Sequence, residues 1–387
     1  MALLAFLDHS LMTAFTFAET LACWQRRAGR TDLPWQQYHT PYERWLSEVM
    51  LQQTQVETVI PYFERFLAAF PSVEALAAAS EAQVMKLWAG LGYYSRGRNL
   101  HRAAQMVVKE MQGRFPTTAD ELIKLPGIGP STAAAVAAFT SGEAKEPMID
   151  GNVKRVLARI DGIPGRVGEK AFETTLAAAA RRKLPGSECI AAYTQGLMDL
   201  GSLVCRRKSP NCAACPVRNF CKAFALGCPE DYPRPKTTVA KKERWLVLVF
   251  VATSAGFWFA PVRGRIWKGL YAPIVAECSE KAWNSSVIAE APEHLRFLFQ
   301  TAQPCGMPRV HELTHQRLHL RAVLCRCEAG TGDGEALHTE GFTPFGEKPD
   351  AWPGLPTPVL EYAKIALRPK LPGMHLVPEH PRGQGQT

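Results

Sequence analysis

ELIKLPGIGPSTAAAVAAFTSGEAKEPMID, residues 121–150, reads as a helix, a tight glycine turn, a second helix and a carboxylate at its far end. Thr118 and Glu121 stand three apart, the spacing of a capping box, just ahead of Leu122, Ile123 and Leu125. Pro126-Gly127-Ile128-Gly129 cannot continue a helix, because proline lacks the N–H and the glycines permit φ > 0. Pro130 suits the first turn of the next helix, predicted over Ser131 to Phe139 and rich in alanine. Such a hairpin leaves backbone N–H groups pointing outward at the new helix's N-terminus, where they suit a phosphate. Spacing alone leaves two readings level: a nucleic-acid hairpin, and an ordinary helical hairpin with a glycine turn.

The rest of the chain narrows the choice. Its 387 residues are enough for two domains or more, and 47% apolar with 21% charged residues excludes a disordered protein. A formal charge of +9 fits a nucleic-acid partner. No apolar run reaches the ~18 residues of a membrane span. The apolar start, Met1 to Leu11, contains Asp8 and lacks a basic n-region, so it reads as an extra helical turn or an early start with Met12 as the alternative, not as a signal peptide.

Leu33-Pro34-Trp35 ends a first helical segment, and Thr40-Pro41 opens a second, predicted to run to Ile60 before Pro61. On it Trp45, Val49, Val56 and Ile60 form a core stripe, while Glu48, Gln52 and Gln55 form a separate polar one. Helices are predicted over Tyr62 to Phe70, after Ser80, and from Arg98 to Met111, with Gly90 to Tyr94 as a loop between the last two. Asp150 opens a helix over Val153 to Ile160, and another ends near Leu203. This half is read as all-α. From Pro229 to Glu243 a Pro-, Lys- and Thr-rich stretch reads as a linker. Then Trp245 to Val251 and Phe257 to Phe259 form a predicted hairpin, with a strand at Leu318 to Leu324 and a short helix near Glu293 to Gln300, so this half is α+β. The tail after Pro372 has the composition of a disordered segment.

Cys205, Cys212, Cys215 and Cys221 are separated by six, two and five residues. Eleven cysteines in this length are too few for a disulfide scaffold, and four so close suggest a metal site. One CxxC flanked by two single cysteines fits a [4Fe–4S] cluster better than zinc, which usually takes paired CxxC motifs. Arg206, Arg207, Lys208, Arg218 and Lys222 make the same loop a basic patch suited to phosphates.

LPGIG, the glycine turn before Asp150 and C-x6-C-x2-C-x5-C together resemble the endonuclease III superfamily of DNA glycosylases. Within it, LPW at 33–35, TPYERWLSEVMLQQTQVETVIPYFERF at 40–66, GLGYYSRGRNLH at 90–101 and IDGNVKRVLARI at 149–160 resemble the MutY adenine DNA glycosylases over Phe17 to Cys221. The resemblance implies an all-α helix-hairpin-helix glycosylase domain with a [4Fe–4S] cluster loop, followed by an α+β Nudix-like domain. It divides the chain into a glycosylase domain at 1–228 (a six-helix barrel module about 40–149, and a cluster module from 12–39 plus 150–228), a linker at 229–243, a Nudix-like domain at 244–370 and a tail at 371–387. The implied partner is double-stranded DNA with adenine opposite 8-oxoguanine or guanine, and the protein is expected to be a cytoplasmic, bacterial monomer. The alternatives are an endonuclease III-like pyrimidine glycosylase/lyase and a non-catalytic DNA-binding iron–sulfur protein. Against the first, the lyases carry a Lys where this chain has Ser131, and a hydroxyl cannot form a Schiff base.

Cleaving an N-glycosidic bond at neutral pH needs protonation of a poor leaving group and stabilisation of a cationic sugar. The resemblance assigns the first task to Glu48, whose apolar neighbours are expected to raise its pKa. It assigns the second to Asp150, expected to stay ionised at a helix N-cap and to stabilise the sugar cation electrostatically or trap it covalently. Asn152 is expected to orient sugar or water, with Ser131 near the reacting centre. Gln52 and Tyr93 match residues that wedge into the duplex where the base departs. Lys154 and the amides around Gly127 and Gly129 are expected on backbone phosphates. Cys205, Cys212, Cys215 and Cys221 match the cluster ligands. In the C-terminal half, VLVF at 247–250 and GRIWKGLYAPIVAE at 264–277 resemble the Nudix-like domain of these enzymes, without the carboxylate-rich helix a Mg²⁺-dependent hydrolase needs. Leu313-Thr314-His315 is the nearest match to the family's 8-oxoguanine-reading turn, with two extra residues before Leu318-His319-Leu320.

Overall fold

Every residue from Ala133 to Ala138 is buried in the computed structural model, and the helix that carries them, Pro130–Thr140, is shared by two hydrophobic cores. Ala133, Val136 and Ala137 belong to the first, with Trp45, Phe63, Trp88 and Leu100. Ala134, Ala135 and Ala138 belong to the second, with Leu21, Leu157, Leu176 and Tyr193. Small side chains let both cores close on one helix, so the alanine-rich stretch sits at the centre of the helical unit.

The structure describes residues 16–38, 40–236, 240–280, 302–327 and 333–367. The chain start, the helix predicted near 293–300 and the tail after 372 lie outside them. Contacts divide the chain into two units, Met1–Val239 and Ala240–Thr387. The first holds α1 (Phe17–Ala28), α2 (Pro41–Leu51), α3 (Val56–Ala69), α4 (Val73–Ala78), α5 (Glu81–Trp88), α6 (Ser95–Glu110), α7 (Ala119–Leu122), α8 (Pro130–Thr140), α9 (Gly151–Asp161), α10 (Lys170–Arg181), α11 (Ser187–Asp199) and α12 (Lys222–Ala225). A π-helical turn, Leu200–Val204, extends α11 towards the first of the four clustered cysteines.

Two local expectations are corrected. The helix predicted from Thr40 to Ile60 is two helices: Gln52 ends α2, Gln55 caps α3, and Pro61 lies inside α3. Glu48, Gln52 and Gln55 are therefore not one helical stripe. The break is held by a side chain distant in sequence. The buried Arg96 guanidinium donates to the Val49 and Met50 carbonyls at 2.9 and 2.7 Å, to Thr54 Oγ1 at 2.9 Å, and to Leu91 and Gly92 carbonyls at 3.4 and 3.3 Å. It supplies acceptors at the end of α2 with the donors that continued helix would have provided. The capping box at Thr118 also does not form: its hydroxyl donates to Glu121 Oε2 instead of capping a backbone N–H, and α7 is a single turn.

Arg96→Met would leave those carbonyls buried without donors. We expect it to destabilise the helical unit by roughly 2–4 kcal/mol, read as a lower midpoint in circular-dichroism melting. An unchanged midpoint would show that water substitutes for the guanidinium.

The second unit is built on a mixed sheet of β1 (Lys242–Thr253), β2 (Gly256–Pro261), β3 (Tyr271–Ala272), β4 (Ile274–Cys278), β5 (Gln303–Pro304), β6 (Arg309–Glu312), β7 (Gln316–Arg326) and β8 (Thr343–Phe345). β1 is central. It runs parallel to β7, from Lys242 opposite Gln316 to Ala252 opposite Arg326, and antiparallel to β4. Flanking on both edges explains its nearly unbroken apolar run, because a buried central strand needs no polar face. Two helices complete the described part, α13 (Asp333–Thr339) and α14 (Thr357–Ala366). The Tyr362 hydroxyl of α14 lies 2.7 Å from the Met307 carbonyl and 3.1 Å from the Leu320 carbonyl of β7, so its single proton is shared between the segment before β6 and β7.

Candidate active site

Glu48 is on the last turns of α2, and Asp150 is the N-cap of α9. They are far apart in sequence, yet the Asp150 charge acts on Glu48. Ser131, on the first turn of α8, links the two regions: its hydroxyl accepts the Ile149 N–H at 3.0 Å and so fixes the residue before Asp150. Gln52, at the end of α2, donates from Nε2 to Thr132 Oγ1 at 3.0 Å and to the Gly127 carbonyl at 3.4 Å. The helix bearing Glu48 is thereby tied to the glycine hairpin.

The two carboxyls have different surroundings. Burial pushes Glu48 up to about 7, with the Asp150 charge adding to the rise and the Arg44 charge opposing it. Asp150 is also raised by burial, against the expectation from its cap position alone. The opposing influences are the donors: the Val153 N–H reaches Oδ1 at 2.7 Å, the Asn152 N–H also stabilises the carboxylate, and the Arg155 charge acts with them. The Asp150 charge resists ionisation of Glu48, while the donors at the head of α9 favour the Asp150 carboxylate. Two acids in such different settings can divide proton donation from charge stabilisation.

Asn152 is one turn from Arg155, and its Oδ1 accepts from that guanidinium at 2.9 Å. Arg155 also donates to the Gly201 and Cys205 carbonyls at 2.6 and 2.8 Å. A Cβ at Gly201 would stand 2.7 Å from that of Asn152, so a glycine is required for this close approach. Lys154, expected on a backbone phosphate, pairs its ammonium with Glu173 at 2.7 Å. In the hairpin only Gly127 uses a left-handed conformation, at φ 81°, whereas Gly129 caps α8 at φ −94°.

Tyr93 is 44% exposed and left-handed at φ 47°. Gln53, next to Gln52, is exposed and also left-handed, at φ 58°. Arg96 holds both, through the end of α2 and through Leu91 and Gly92. The signal available in the sequence was an arginine on the face of α6 that also carries Leu100, Ala103, Ala104 and Val107.

Cys205, Cys212, Cys215 and Cys221 line one cavity together with Arg159, Val217 and Phe224. Among the described residues no three His, Cys, Asp or Glu side chains are gathered as ligands of a single ion. The thiols are free, and burial pushes Cys215 up to about 12 and raises Cys212 and Cys221. Arg159 is buried among them and donates to Cys205 Sγ at 3.3 Å and to the Arg206 and Arg207 carbonyls at 2.8 and 3.1 Å. Four thiols around a cavity beside a buried cation suit an anionic iron–thiolate group larger than one ion.

In the second unit Thr314 and His315 form the exposed two-residue tip of the β6–β7 hairpin, closed by the Leu313 N–H on the Gln316 carbonyl at 2.8 Å. His319, further along β7, stacks on Trp245 with ring centroids 5.1 Å apart and contacts Glu243 at 2.6 Å. No helix among the described residues is long and apolar enough to cross a membrane.

Residues 46–182 match the family described as HhH-GPD superfamily base excision DNA repair protein. The chain is 38% identical over 263 residues to the adenine DNA glycosylase of Buchnera aphidicola subsp. Schizaphis graminum, covering 67% of this chain and 75% of that one. Against the adenine DNA glycosylase of Buchnera aphidicola subsp. Acyrthosiphon pisum it is 34% identical over 318 residues, covering 81% and 88%. The adenine DNA glycosylase of Homo sapiens is 40% identical over 231 residues, which span 56% of this chain and 41% of the human one. With the glycine hairpin, the paired acids and a likeness that runs across most of two bacterial relatives, the chain belongs to the adenine DNA glycosylase family, within the helix–hairpin–helix superfamily of base-excision repair.

Proposed function

We propose that this chain removes adenine paired with 8-oxoguanine or guanine, with Glu48 as the proton donor and Asp150 as the charge opposite the sugar. The enzyme is an adenine DNA glycosylase, a hydrolase of N-glycosidic bonds in base-excision repair. The observation that carries the assignment of roles is the asymmetry of the two acids: Glu48 is pushed to about 7 by burial, while Asp150 caps α9 and accepts the Val153 N–H at 2.7 Å. At neutral pH a substantial share of Glu48 then holds a proton for the adenine ring, and Asp150 supports the oxocarbenium ion as the bond lengthens. Once the base has left, the ionised Glu48 activates water and Asn152 orients it. The Ile149 N–H on Ser131, together with the lack of an amine at that position, favours simple base release over a Schiff-base lyase.

The adenine has to leave the stack to reach this pair. Tyr93 and the Gln52–Gln53 turn fill the place it vacates, and the amides at Gly127 and Gly129 with Lys154 contact phosphates. Lys154 exchanges its Glu173 partner for a phosphate on binding. Cys205, Cys212, Cys215 and Cys221 hold a [4Fe–4S] cluster, which when bound supplies iron–thiolate links that fix the basic loop at Arg206–Lys208. The second unit is a Nudix-like reader of 8-oxoguanine that uses the Thr314–His315 hairpin tip, its exposed hydroxyl and imidazole suited to the base edge. The protein acts on duplex DNA as a monomer.

The test is single-turnover base release from duplexes carrying adenine opposite 8-oxoguanine, guanine, cytosine and thymine. Release is expected opposite 8-oxoguanine and guanine, without borohydride-trapped adduct. Because the active form of Glu48 is protonated, the rate is expected to fall as pH rises through about 7. Release of an oxidised pyrimidine with a trapped adduct would overturn the assignment, and a rate that climbs through that range would remove Glu48 as the acid.

A further inference from the structure

Arg44 stands one turn before Glu48 on α2, at the i and i+4 spacing that brings two side chains to the same face. Its position is fixed by groups outside α2. Nη2 donates to the Gln36 carbonyl at 3.2 Å, and the guanidinium lies 5.4 Å from the centroid of the Phe139 ring on α8. Its Nε is buried and has no acceptor among the described residues. A guanidinium held by a carbonyl and a ring, with no ion-pair contact among the described residues, projects its charge into its surroundings, Glu48 included.

The charged groups that act on Glu48 are few. Asp150 faces it from the head of α9, and Arg44 from its own helix. α8, packed against α2, has no ionisable residue, nor has the Pro34–Gln37 turn. On α6, Arg96 reaches α2 but is engaged by the Val49 and Met50 carbonyls. On α3, Glu57, Glu64 and Arg65 are not among the groups that act on Glu48. Burial and Asp150 therefore press Glu48 one way, and among the described residues Arg44 presses it the other.

We propose that Arg44 is a positioning residue whose guanidinium, held by the Gln36 carbonyl and the Phe139 ring one turn from Glu48 on the same face of α2, sets the alkaline limit of base release. This rests on the reading of Glu48 as the proton donor. Without Arg44, the carboxyl would hold its proton to higher pH. It would then donate readily but recover poorly as the base that activates water. With Arg44, the same group stands near neutrality and serves both half-reactions.

The experiment compares the full chain with Arg44→Met, which keeps the stem and loses the charge, and Arg44→Lys, which keeps the charge. Single-turnover adenine release opposite 8-oxoguanine is followed from about pH 6 to about pH 9, spanning the region around the expected midpoint. In Arg44→Met the alkaline midpoint is expected to move up by about half a pH unit or more, giving about threefold faster release near pH 8 and little change near pH 6. Arg44→Lys is expected to keep the parental midpoint. A uniform rate loss at every pH, with the midpoint unmoved, would overturn the proposal and leave Arg44 a packing residue. If the Met variant does not fold by circular dichroism, Arg44→Gln gives the same readout. If the unsubstituted chain releases no adenine at any pH, the reading of Glu48 fails first, which separates the two ideas.

Discussion

Glu48→Gln is expected to abolish adenine release, by about 10³-fold or more in single turnover, while binding to the mispaired duplex persists. Glutamine has nearly the shape of the protonated acid and can still offer an N–H to the adenine, but it has no proton to transfer. The same substitution is expected to stabilise the enzyme above neutral pH. Burial raises the Glu48 pKa in the folded chain from its ordinary 4.5 to about 7. A carboxyl shifted upward contributes its full stability below 4.5 and loses it as pH rises through 7, because the native state must then hold an unfavourable buried charge. Glutamine never ionises, so the variant's advantage grows across that window and levels off above it at roughly 2–3 kcal/mol, an upper figure for a partly exposed group. Melting at about pH 8 and at about pH 5 checks the sign, with the gain expected at the higher pH. An active variant would remove Glu48 from the mechanism, and an inactive one with no gain at high pH would mean the carboxyl is better solvated than the structure has it.

How much of this could be read from the sequence depends on the distance over which each feature is determined. The glycine hairpin is local: Pro126 and Gly127 stop one helix, Pro130 starts another, and the alanines after it are small for reasons that need only packing. The cap at Asp150 is local as well, and Val153 is where a cap predicts its donor. The end of α2 was misread because nothing near Leu51 in sequence breaks a helix, and Pro61 looked like the stop. What ends it is Arg96, supplied from α6, and no periodicity in 40–61 contains that information. The upward shift of Asp150 was missed for a related reason. Cap donors are visible in sequence, but the burial that outweighs them is a property of the packed site. In the second unit the apolar run at 245–251 identified β1, whereas its parallel pairing with β7 is a non-local choice.

Asp150→Asn separates charge from architecture. Asparagine caps helices about as well as aspartate, so its side-chain oxygen can keep the Val153 N–H that Asp150 Oδ1 now accepts at 2.7 Å. Because burial raises the Asp150 pKa, ionisation of this group costs folded-state stability as pH rises, and the neutral variant is expected to melt no lower than the parent at neutral pH. The rate has no such replacement. A cationic sugar developing beside a neutral amide loses its strongest electrostatic partner in a poorly hydrated site, and adenine release is expected to fall by about 10³-fold, or ~4 kcal/mol. Asp150→Ala loses both charge and cap, so it is expected to share the rate defect and also to melt lower, by about 1 kcal/mol of helix stability. Single-turnover rates and melting midpoints of the two variants, measured side by side, isolate the charge. If the asparagine variant keeps its rate to within about tenfold, the negative charge at the head of α9 is a cap and little else, and stabilisation of the departing sugar has to come from elsewhere in the site.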